Sequence, residues 1–435
     1  MRWWKKGGRT VGMTIAEKVL ARNSGLDTVH PGQYVDARVD RVIADEEFYR
    51  IHAAAVSGGL KEGLPKIWDL EKLHVIIEHF QPALNESQSI RQQLIRELVE
   101  KYKVRYFDDA ACAVIHQAAV ENYALPGELS LGSDSHSCAW GALNSVSTGM
   151  GEHELAYALC FGELWFKVPQ SIKINLKGTF NERTNPKDIM FHLAQQFTAS
   201  FGLYRSLEFT GPGAHNMSID ERLTVSVHAV ELGGKFGLFE YDEKTEEYLS
   251  RRKRLQNMVN SAIPVFADPD ATYERVVEID LDKLEPLVAK PHNFENIGTL
   301  DEVAGTRIDQ AQVGSCANGR LEDMRIVARN IKGKRVNRKT RFLVQPASWD
   351  VYRAAMKEGL FEIMLDAGIQ VLSPGCHLCL GMQGRLGENE NAITSTTRNH
   401  MGRLGGKNCN VYLANPQVVT AAAIAGEIVD IRNGY

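Results

Sequence analysis

The stretch VGSCANGRLEDMRIVARNI (313–331) shows how this chain alternates its secondary structure. A strand-like approach ends in a turn of small residues that contains Cys316, and a helical pattern follows at once. A second Gly-rich turn, SPGCHLCLG (373–381), carries Cys376 and Cys379 after another strand-like run. Backbone N–H groups converge at strand-to-helix turns and lower the pKa of a thiol placed there. The sequence therefore predicts an α/β fold with three cysteines at its turns.

Short β-branched runs alternate with helical patterns along the rest of the chain. The strand-like runs are SIKINLKG (171–178), RVVEIDL (275–281) and TRFLVQPAS (340–348). The helical patterns are RELVEKYKV (96–104), DEVAGTRIDQAQV (301–313) and RAAMKEGLFEIMLDAG (353–368). This alternation favours sheets with helices on both faces. Domain joints are predicted at Val168–Pro169, where a long helical region gives way to a strand, and near Pro286–His292.

Composition excludes several classes of protein. The chain has 435 residues, of which 44% are apolar, enough for roughly two to three domains. Its 50 Lys and Arg residues nearly balance 54 Asp and Glu residues, so no broad charge draws it to nucleic acid or membrane. The chain has seven cysteines, an odd number that cannot all pair in disulfides, and this favours a reducing, cytoplasmic compartment. The first residues, 1–12, lack the apolar core of a signal peptide and read as a tag or disordered segment.

The three turn cysteines have two chemical interpretations. A zinc site normally needs a fourth protein ligand, and His377 is the nearest candidate. An iron–sulfur cluster usually has four cysteine ligands, so three would leave one iron open to water or substrate. The other cysteines are most simply explained as small apolar core residues. They are Cys112, Cys138, Cys160 and Cys409.

Several motifs together resemble the aconitase superfamily. They are GSDSHS (132–137), GSCANGR (314–320), PGCHLCLG (374–381), TTRNHMGRLGG (396–406) and YLANPQVVTAAAIAGEIVD (412–430). Within it, the chain is most similar to the large subunits of 3-isopropylmalate dehydratase and of archaeal-type homoaconitase, from about Met13 to Tyr435. The resemblance implies a hydro-lyase that acts on a 2-hydroxy di- or tricarboxylic acid. It also implies one [4Fe–4S] cluster per chain, held by Cys316, Cys376 and Cys379.

The resemblance also assigns roles to matched side chains. The residues matched to the proton-handling site are His79, His116, Asp134, Ser135, His136 and Glu231. Arg398 and Arg403 match arginines that bind substrate carboxylates, and a guanidinium can hold a carboxylate through two parallel hydrogen bonds.

Four features depart from the family pattern. Glu78 replaces the Asp of an Asp-His pair, Val227 replaces an Asn, and Thr397 replaces another Asn. The segment VIADEEFYRIHAAAV (42–56) does not align with the usual substrate-binding motif. The expected substrate is therefore 3-isopropylmalate as the family default, with methyl- or dimethylmalate and homoaconitate as alternatives. A non-catalytic, cluster-binding paralogue is a further alternative.

The resemblance implies three α/β/α domains around a central cluster. They would span residues 13–168, with the matched His and Asp residues, then 169–290, and then 291–435, with the cysteines and arginines. The C-terminal swivel domain of single-chain aconitases is not expected in this chain. A separate small subunit would supply it, and neither nucleic acid nor a membrane is an expected partner.

Overall fold

The computed structural model describes residues 12–109, 113–252, 256–260 and 262–433. The predicted N-terminal tag lies outside these residues except for Gly12, and so does Cys112. The strands are β1 (Tyr34–Arg38), β2 (Arg41–Ala44), β3 (Leu73–Ile76), β4 (Tyr106–Asp108), β5 (Leu129–Gly132), β6 (Val146–Gly149), β7 (Glu163–Lys167), β8 (Ser171–Lys177), β9 (Ser206–Thr210), β10 (Phe236–Phe239), β11 (Arg275–Asp280), β12 (Leu287–Ala289), β13 (Ile297–Thr299), β14 (Gln310–Gly314), β15 (Arg341–Gln345), β16 (Gln370–Val371), β17 (Asn391–Thr394) and β18 (Asn410–Leu413).

The helices lie between these strands. They are α1 (Ile15–Asn23), α2 (Phe48–Ser57), α3 (Glu86–Tyr102), α4 (Ile115–Asn122), α5 (Glu152–Phe161), α6 (Pro186–Phe197), α7 (Pro212–Asn216), α8 (Ile219–Val227), α9 (Glu243–Ser250), α10 (Gln256–Val259), α11 (Leu300–Val303), α12 (Ser315–Asn318), α13 (Leu321–Ile331), α14 (Trp349–Lys357), α15 (Leu360–Asp366) and α16 (Pro416–Ala425). Short 3₁₀ turns link some of them, of which Ser135–Leu143 is the longest described. The predicted α/β class is confirmed.

The first sheet is parallel and has the strand order β4-β3-β2-β5-β6. The chain starts in the middle at β2, moves outward through β3 and β4, and returns to β5 on the other side of β2. Its switch point therefore lies between β2 and β5, where open α/β sheets form a ligand crevice outside their carboxyl ends. Asp45 follows β2 and Ser133 follows β5, and the Ser133 hydroxyl donates to Asp45 Oδ1 at 2.7 Å.

The third sheet repeats this arrangement. Its order is β13-β12-β18-β17-β14-β15-β16, and β14 is parallel to both neighbours, β15 and β17. The chain leaves β14 on one side through β15 and β16 and returns through β17, so the switch point lies between β14 and β17. Cys316 lies two residues after the end of β14, and Ser395 follows β17 directly. The second sheet is smaller and parallel, with the order β10-β9-β8-β11, and an antiparallel pair, β1-β7, completes the described strands.

Apolar packing joins the units that carry these sheets. One buried cluster contains Ile43 of β2, Trp140 of the long 3₁₀ turn, Val227 of α8 and Cys316 of α12. The strand SIKINLKG is β8, and RVVEIDL and TRFLVQPAS contain β11 and β15, so these three strand predictions are confirmed. The division into domains at 13–168, 169–290 and 291–435 stays a prediction. No helix among the described residues is long and apolar enough to cross a membrane.

Two predicted helices are wrong in part. The pattern at 301–313 gives only the short α11, and Gly305 at φ +79° then turns the chain into β14. Gln310 and Gln312 are completely buried in β14, so their polarity gave a misleading pattern for a central strand. The pattern at 353–368 gives two helices, because Gly359 at φ +69° separates α14 from α15.

The helical region predicted before Val168 is also wrong at its end. Residues Glu163–Lys167 form β7, in which exposed and buried side chains alternate. Leu164 and Phe166 are buried while Trp165 is exposed, which is the two-residue period of a half-buried strand. The helix α5 ends instead at Phe161, where Gly162 adopts φ +75°. The prediction of a helix within 96–104 is confirmed by α3.

Glu208 is an acidic residue in the interior of the second sheet. It lies in β9, is 3% exposed, and accepts hydrogen bonds from Ala16 N (3.4 Å) and the Tyr273 hydroxyl (3.1 Å). Burial raises the pKa of Glu208 to about 7. The folded chain therefore keeps a proton on this carboxyl that the unfolded chain loses at lower pH.

We expect Glu208→Gln to flatten the dependence of stability on pH. In the native protein, Glu208 makes the free energy of unfolding fall by up to about 1.4 kcal/mol per pH unit as pH rises from the ordinary pKa of about 4.5 to about 7. Chemical denaturation of both proteins at several pH values measures this difference. Glu163→Gln, a change on the exposed face of β7, is the control and leaves the slope unchanged. Equal slopes for Glu208→Gln and the native protein would contradict the expectation.

Candidate active site

A chain of hydrogen bonds connects the predicted site residues across the cleft. Asp134 begins the long 3₁₀ turn after β5, and its Oδ1 accepts from His116 Nε2 at 2.9 Å and from the His136 backbone N–H at 2.7 Å. His136 Nε2 donates to Glu231 Oε1 at 2.7 Å. The same Glu231 oxygen accepts from Arg398 Nε at 2.8 Å.

Arg398 closes this chain of contacts. It follows β17 in the third sheet, and its Nη2 donates to Ser135 Oγ at 3.1 Å. Two sheets thus contribute to one cluster of polar groups, and Arg398 is fixed from two sides by Glu231 and Ser135. Its side chain remains 29% exposed, so the guanidinium is accessible from the cleft.

Burial and pairing set the charges in this cluster. Burial alone would raise the pKa of Asp134, but hydrogen bonds from His116 and His136 hold it well below its ordinary value. Burial alone would lower the pKa of His136, but its contacts with Asp134 and Glu231 raise it above the ordinary value. Burial lowers the pKa of His116 despite Asp134. Asp134 is therefore a carboxylate that is held by two histidines of different basicity.

His79 lies among carboxylates at the end of β3. Its Nδ1 is 2.9 Å from Glu78 Oε1, 3.3 Å from Glu46 Oε2 and 3.4 Å from Asp45 Oδ2. Its Nε2 faces Asp134 Oδ2 at 3.8 Å. Burial alone would lower the pKa of His79, but the charge of Glu78 and the hydrogen bond to Glu46 hold it well above its ordinary value.

Asp45 and Glu46 are site residues that the sequence interpretation missed. They lie in the segment that did not align, directly after β2. Glu46 Oε1 also accepts from the backbone N–H groups of Glu78 (2.8 Å) and Phe80 (3.2 Å), so it fixes the His79 loop. Adjacent acids at the carboxyl end of a buried run, RVIA, were the signal available in the sequence, because such ends line the ligand crevice.

The three turn cysteines are buried and come together. Cys316, Cys376 and Cys379 are 3%, 8% and 1% exposed and form no disulfide. A hydrogen bond from the Cys376 thiol, together with the nearby Arg403, holds the pKa of Cys379 well below its ordinary value. The same hydrogen bond and burial hold the pKa of Cys376 well above its ordinary value.

The backbone at the first cysteine turn is unusual. Gly314 and Ser315 adopt φ +155° and φ +61°, and a Cβ on Gly314 would collide with the Gln345 carbonyl. A positive φ on a non-glycine residue costs on the order of 1–3 kcal/mol and persists where the surrounding structure enforces it. Three unlinked thiols at one place fit an iron–sulfur cluster with one iron free of cysteine.

His377 does not join the thiols. Its Nε2 donates to the Gln81 carbonyl at 2.7 Å, and its Nδ1 accepts from Gln345 Nε2 at 2.7 Å. Both ring nitrogens are therefore used by structural hydrogen bonds, and the ring is completely buried. The zinc interpretation loses its proposed fourth ligand.

The remaining predicted residues occupy distinct places. Arg403 donates through Nε to the Cys379 carbonyl (2.7 Å) and through Nη2 to Cys379 Sγ (3.2 Å), so it contacts a predicted cluster ligand directly. Thr397 Oγ1 lies 3.4 Å from the same sulfur. Val227 is fully buried in the apolar cluster that contains Cys316. Cys138, Cys160 and Cys409 are buried core residues as predicted.

Comparisons with known proteins show which family this chain resembles. The model of the aconitase family (aconitate hydratase) matches residues 72–426. The 3-isopropylmalate dehydratase large subunit of Acetivibrio thermocellus is 39% identical over 421 residues, which cover 96% of this chain and 99% of the relative. The protein of the same name from Aquifex aeolicus is 37% identical and covers 96% of each chain. A solved structure, aconitase X from Thermococcus kodakaraensis, is 12% identical with a TM-score of 0.48 and covers 88% of this chain and 89% of that chain.

We expect His377→Asn to lower stability without removing iron or sulfide. Asparagine cannot reach both Gln81 and Gln345, and a broken buried hydrogen bond costs about 1–3 kcal/mol. The measurements are the free energy of unfolding and the iron and sulfide content after anaerobic purification. His215→Asn, a change of a half-exposed ring, is the matched control and leaves both unchanged. Loss of metal with unchanged stability would instead identify His377 as a ligand.

Proposed function

The chain belongs to the aconitase family and is an iron–sulfur hydro-lyase, and we propose that it is the large subunit of an enzyme that adds and removes water on a substituted malate. The observation that carries this proposal is the position of three buried, unlinked thiols at the same cleft as the Asp134–His136–Glu231–Arg398 chain. Relatives that match almost the whole chain are named 3-isopropylmalate dehydratase large subunits, so 3-isopropylmalate is the first substrate to test.

Cys316, Cys376 and Cys379 would hold the [4Fe–4S] cluster. When bound, the cluster supplies an iron without a thiolate ligand, a Lewis acid that makes hydroxide a feasible leaving group. Cys376 and Arg403 lower the pKa of Cys379 only; the pKa values of Cys316 and Cys376 are raised, so a bound metal would have to displace the protons of these two thiols. Arg403 neutralises part of the charge on the Cys379 thiolate through its hydrogen bond to Cys379 Sγ.

Arg398 is placed to bind a substrate carboxylate. Glu231 and Ser135 hold its Nε and Nη2, which fixes the plane of the guanidinium before any substrate arrives. A preorganised guanidinium can bind a carboxylate through two parallel hydrogen bonds with little further loss of side-chain freedom. This arrangement favours an acid with at least two carboxylates, one of which is held away from the reacting carbon.

His79 is placed to deliver a proton to the departing hydroxyl. Carboxylates surround its Nδ1, so Nδ1 carries a hydrogen and the ring cannot rotate freely. Its Nε2 faces Asp134 and the cleft and can hold the proton that a leaving hydroxyl takes. Glu78 can still orient the His79 ring. Its side chain is one methylene longer than the usual aspartate, but its Oε1 lies 2.9 Å from His79 Nδ1.

A separate small subunit would cover the cleft and complete the enzyme. The relatives named large subunits match this chain over 96–99% of their own length, which supports the same division of labour here. Covering the cleft would exclude water and strengthen the charge interactions inside it.

We expect Cys376→Ser to lose most of its iron and sulfide. Anaerobic purification and quantitation should give near four irons and four sulfides per native chain, because a [4Fe–4S] cluster contains that number. Cys409→Ser is the matched control. Cys409 is also buried, but its thiol donates to the Gly387 carbonyl in a separate group of apolar core residues. Zinc without sulfide in the native protein would refute the proposed mechanism.

We expect the chain to turn over substrate only with a small subunit. The assay follows the unsaturated acid by ultraviolet absorption, with 3-isopropylmalate, 2,3-dimethylmalate and homoaconitate compared, and with or without a small subunit from the same genome. Full turnover by the chain alone would contradict the need for a partner.

Arg398→Lys should reduce kcat/KM on the order of a hundredfold, since a single ammonium cannot replace a bidentate contact.

A further inference from the structure

Lys187 is a buried amine that the proposed reaction does not use. It lies in the first turn of α6, and its side chain is completely buried. Taking an ammonium out of water is costly, and an apolar side chain of similar length would fill the same space without that cost. The ammonium must therefore be compensated by its contacts.

Three acceptors surround the ammonium. Nζ donates to the carbonyls of Ser395 (2.7 Å) and Thr396 (2.8 Å). The third neighbour is His228 Nε2 at 3.1 Å. His228 Nδ1 lies 2.6 Å from the Thr224 carbonyl, so Nδ1 carries the hydrogen and Nε2 accepts from Lys187. Each of the three N–H bonds of the ammonium thus has an acceptor.

The two carbonyls belong to the segment that carries the site. Ser395 and Thr396 follow β17 and lead directly into Thr397 and Arg398. Thr397 contacts Cys379 Sγ at 3.4 Å, and Arg398 contacts Ser135 and Glu231. Lys187 itself comes from α6, which packs in the unit of the second sheet.

The segment is thus held between two sheet units. On the third-sheet side, Ser395 N donates to the Gln312 carbonyl at 2.9 Å, and Gly314 N donates to Ser395 Oγ at 3.3 Å. On the other side, Lys187 binds both of the following carbonyls. We propose that Lys187 is a positioning residue that sets where Thr397 and Arg398 stand relative to Cys379 and Ser135. This inference deepens the proposed function, and the effects that it predicts on substrate kinetics rest on that function.

The test compares Lys187→Met with Lys244→Met. Lys244 also donates to two backbone carbonyls, those of Asn216 and Met217, but it is only partly buried and lies in the first turn of α9. Hydrogen–deuterium exchange followed by mass spectrometry on the holoenzyme reads out the peptide spanning 391–403. Lys187→Met should raise exchange in this peptide at least tenfold, while Lys244→Met should change only the peptide around 216–217.

Kinetics separate positioning from a general structural role. Because Arg398 is expected to bind substrate, Lys187→Met should raise KM about tenfold with a smaller change in kcat, at unchanged iron and sulfide content. Lys187→Arg, which keeps a charged donor, should recover part of the lost kcat/KM. A variant with unchanged exchange and unchanged KM would overturn the inference, as would equal losses in Lys187→Met and Lys244→Met.

A second variant keeps the test decisive if Lys187→Met does not fold. His228→Asn leaves the lysine in place and removes the imidazole that orients it, so exchange in the 391–403 peptide should still rise above that of the native protein. Unchanged exchange in that variant would refute the positioning role. The exchange measurement needs no substrate, so a rise without any turnover would leave the inference standing while the proposed function fails.

Discussion

Parallel strands deliver side chains to a shared cleft only from their carboxyl ends, and this chain uses that constraint twice. The direction in which successive strands are added reverses between β2 and β5 in the first sheet, and between β14 and β17 in the third sheet. The two crevices that result face each other, as the contact between Ser135 and Arg398 shows. Residues that follow these strands therefore meet, although they are far apart in sequence.

Polar neighbours stabilise the buried charges around this cleft. Arg320 illustrates this: it is fully buried at the start of α13 and donates to the carbonyls of Cys316 (2.7 Å) and Ala317 (3.0 Å). It also donates to Gln117 Oε1 at 3.2 Å, beside His116. Such networks are costly when partly satisfied and rigid when complete. The cysteine turn is thereby fixed to the unit that carries the histidines.

The departures from the family pattern affect the cleft unevenly. Glu78 still contacts His79, and Thr397 still presents a hydroxyl to Cys379. Val227 instead buries a β-branched apolar side chain, which cannot form a hydrogen bond, in the apolar cluster that also contains Cys316. Asp45 adds a further carboxylate next to His79. The three turn cysteines are therefore retained, whereas Glu78 and Val227 change the side chains beside His79 and in α8 relative to the family pattern.

The sequence by itself determined the α/β class, the cysteine turns and three of the eighteen described strands, β8, β11 and β15, because these follow from local patterns of apolar and small residues. It misplaced β7 and β14 and merged α14 with α15, since tertiary burial and single glycines overrode local propensity. It also left Glu46 and Lys187 without a role. Glu46 meets His79 across 33 residues and Lys187 meets Ser395 across 208, and only the order of strands within the sheets decides such meetings. Local sequence carries no information on that order, so the tertiary structure alone decided how the site is held together.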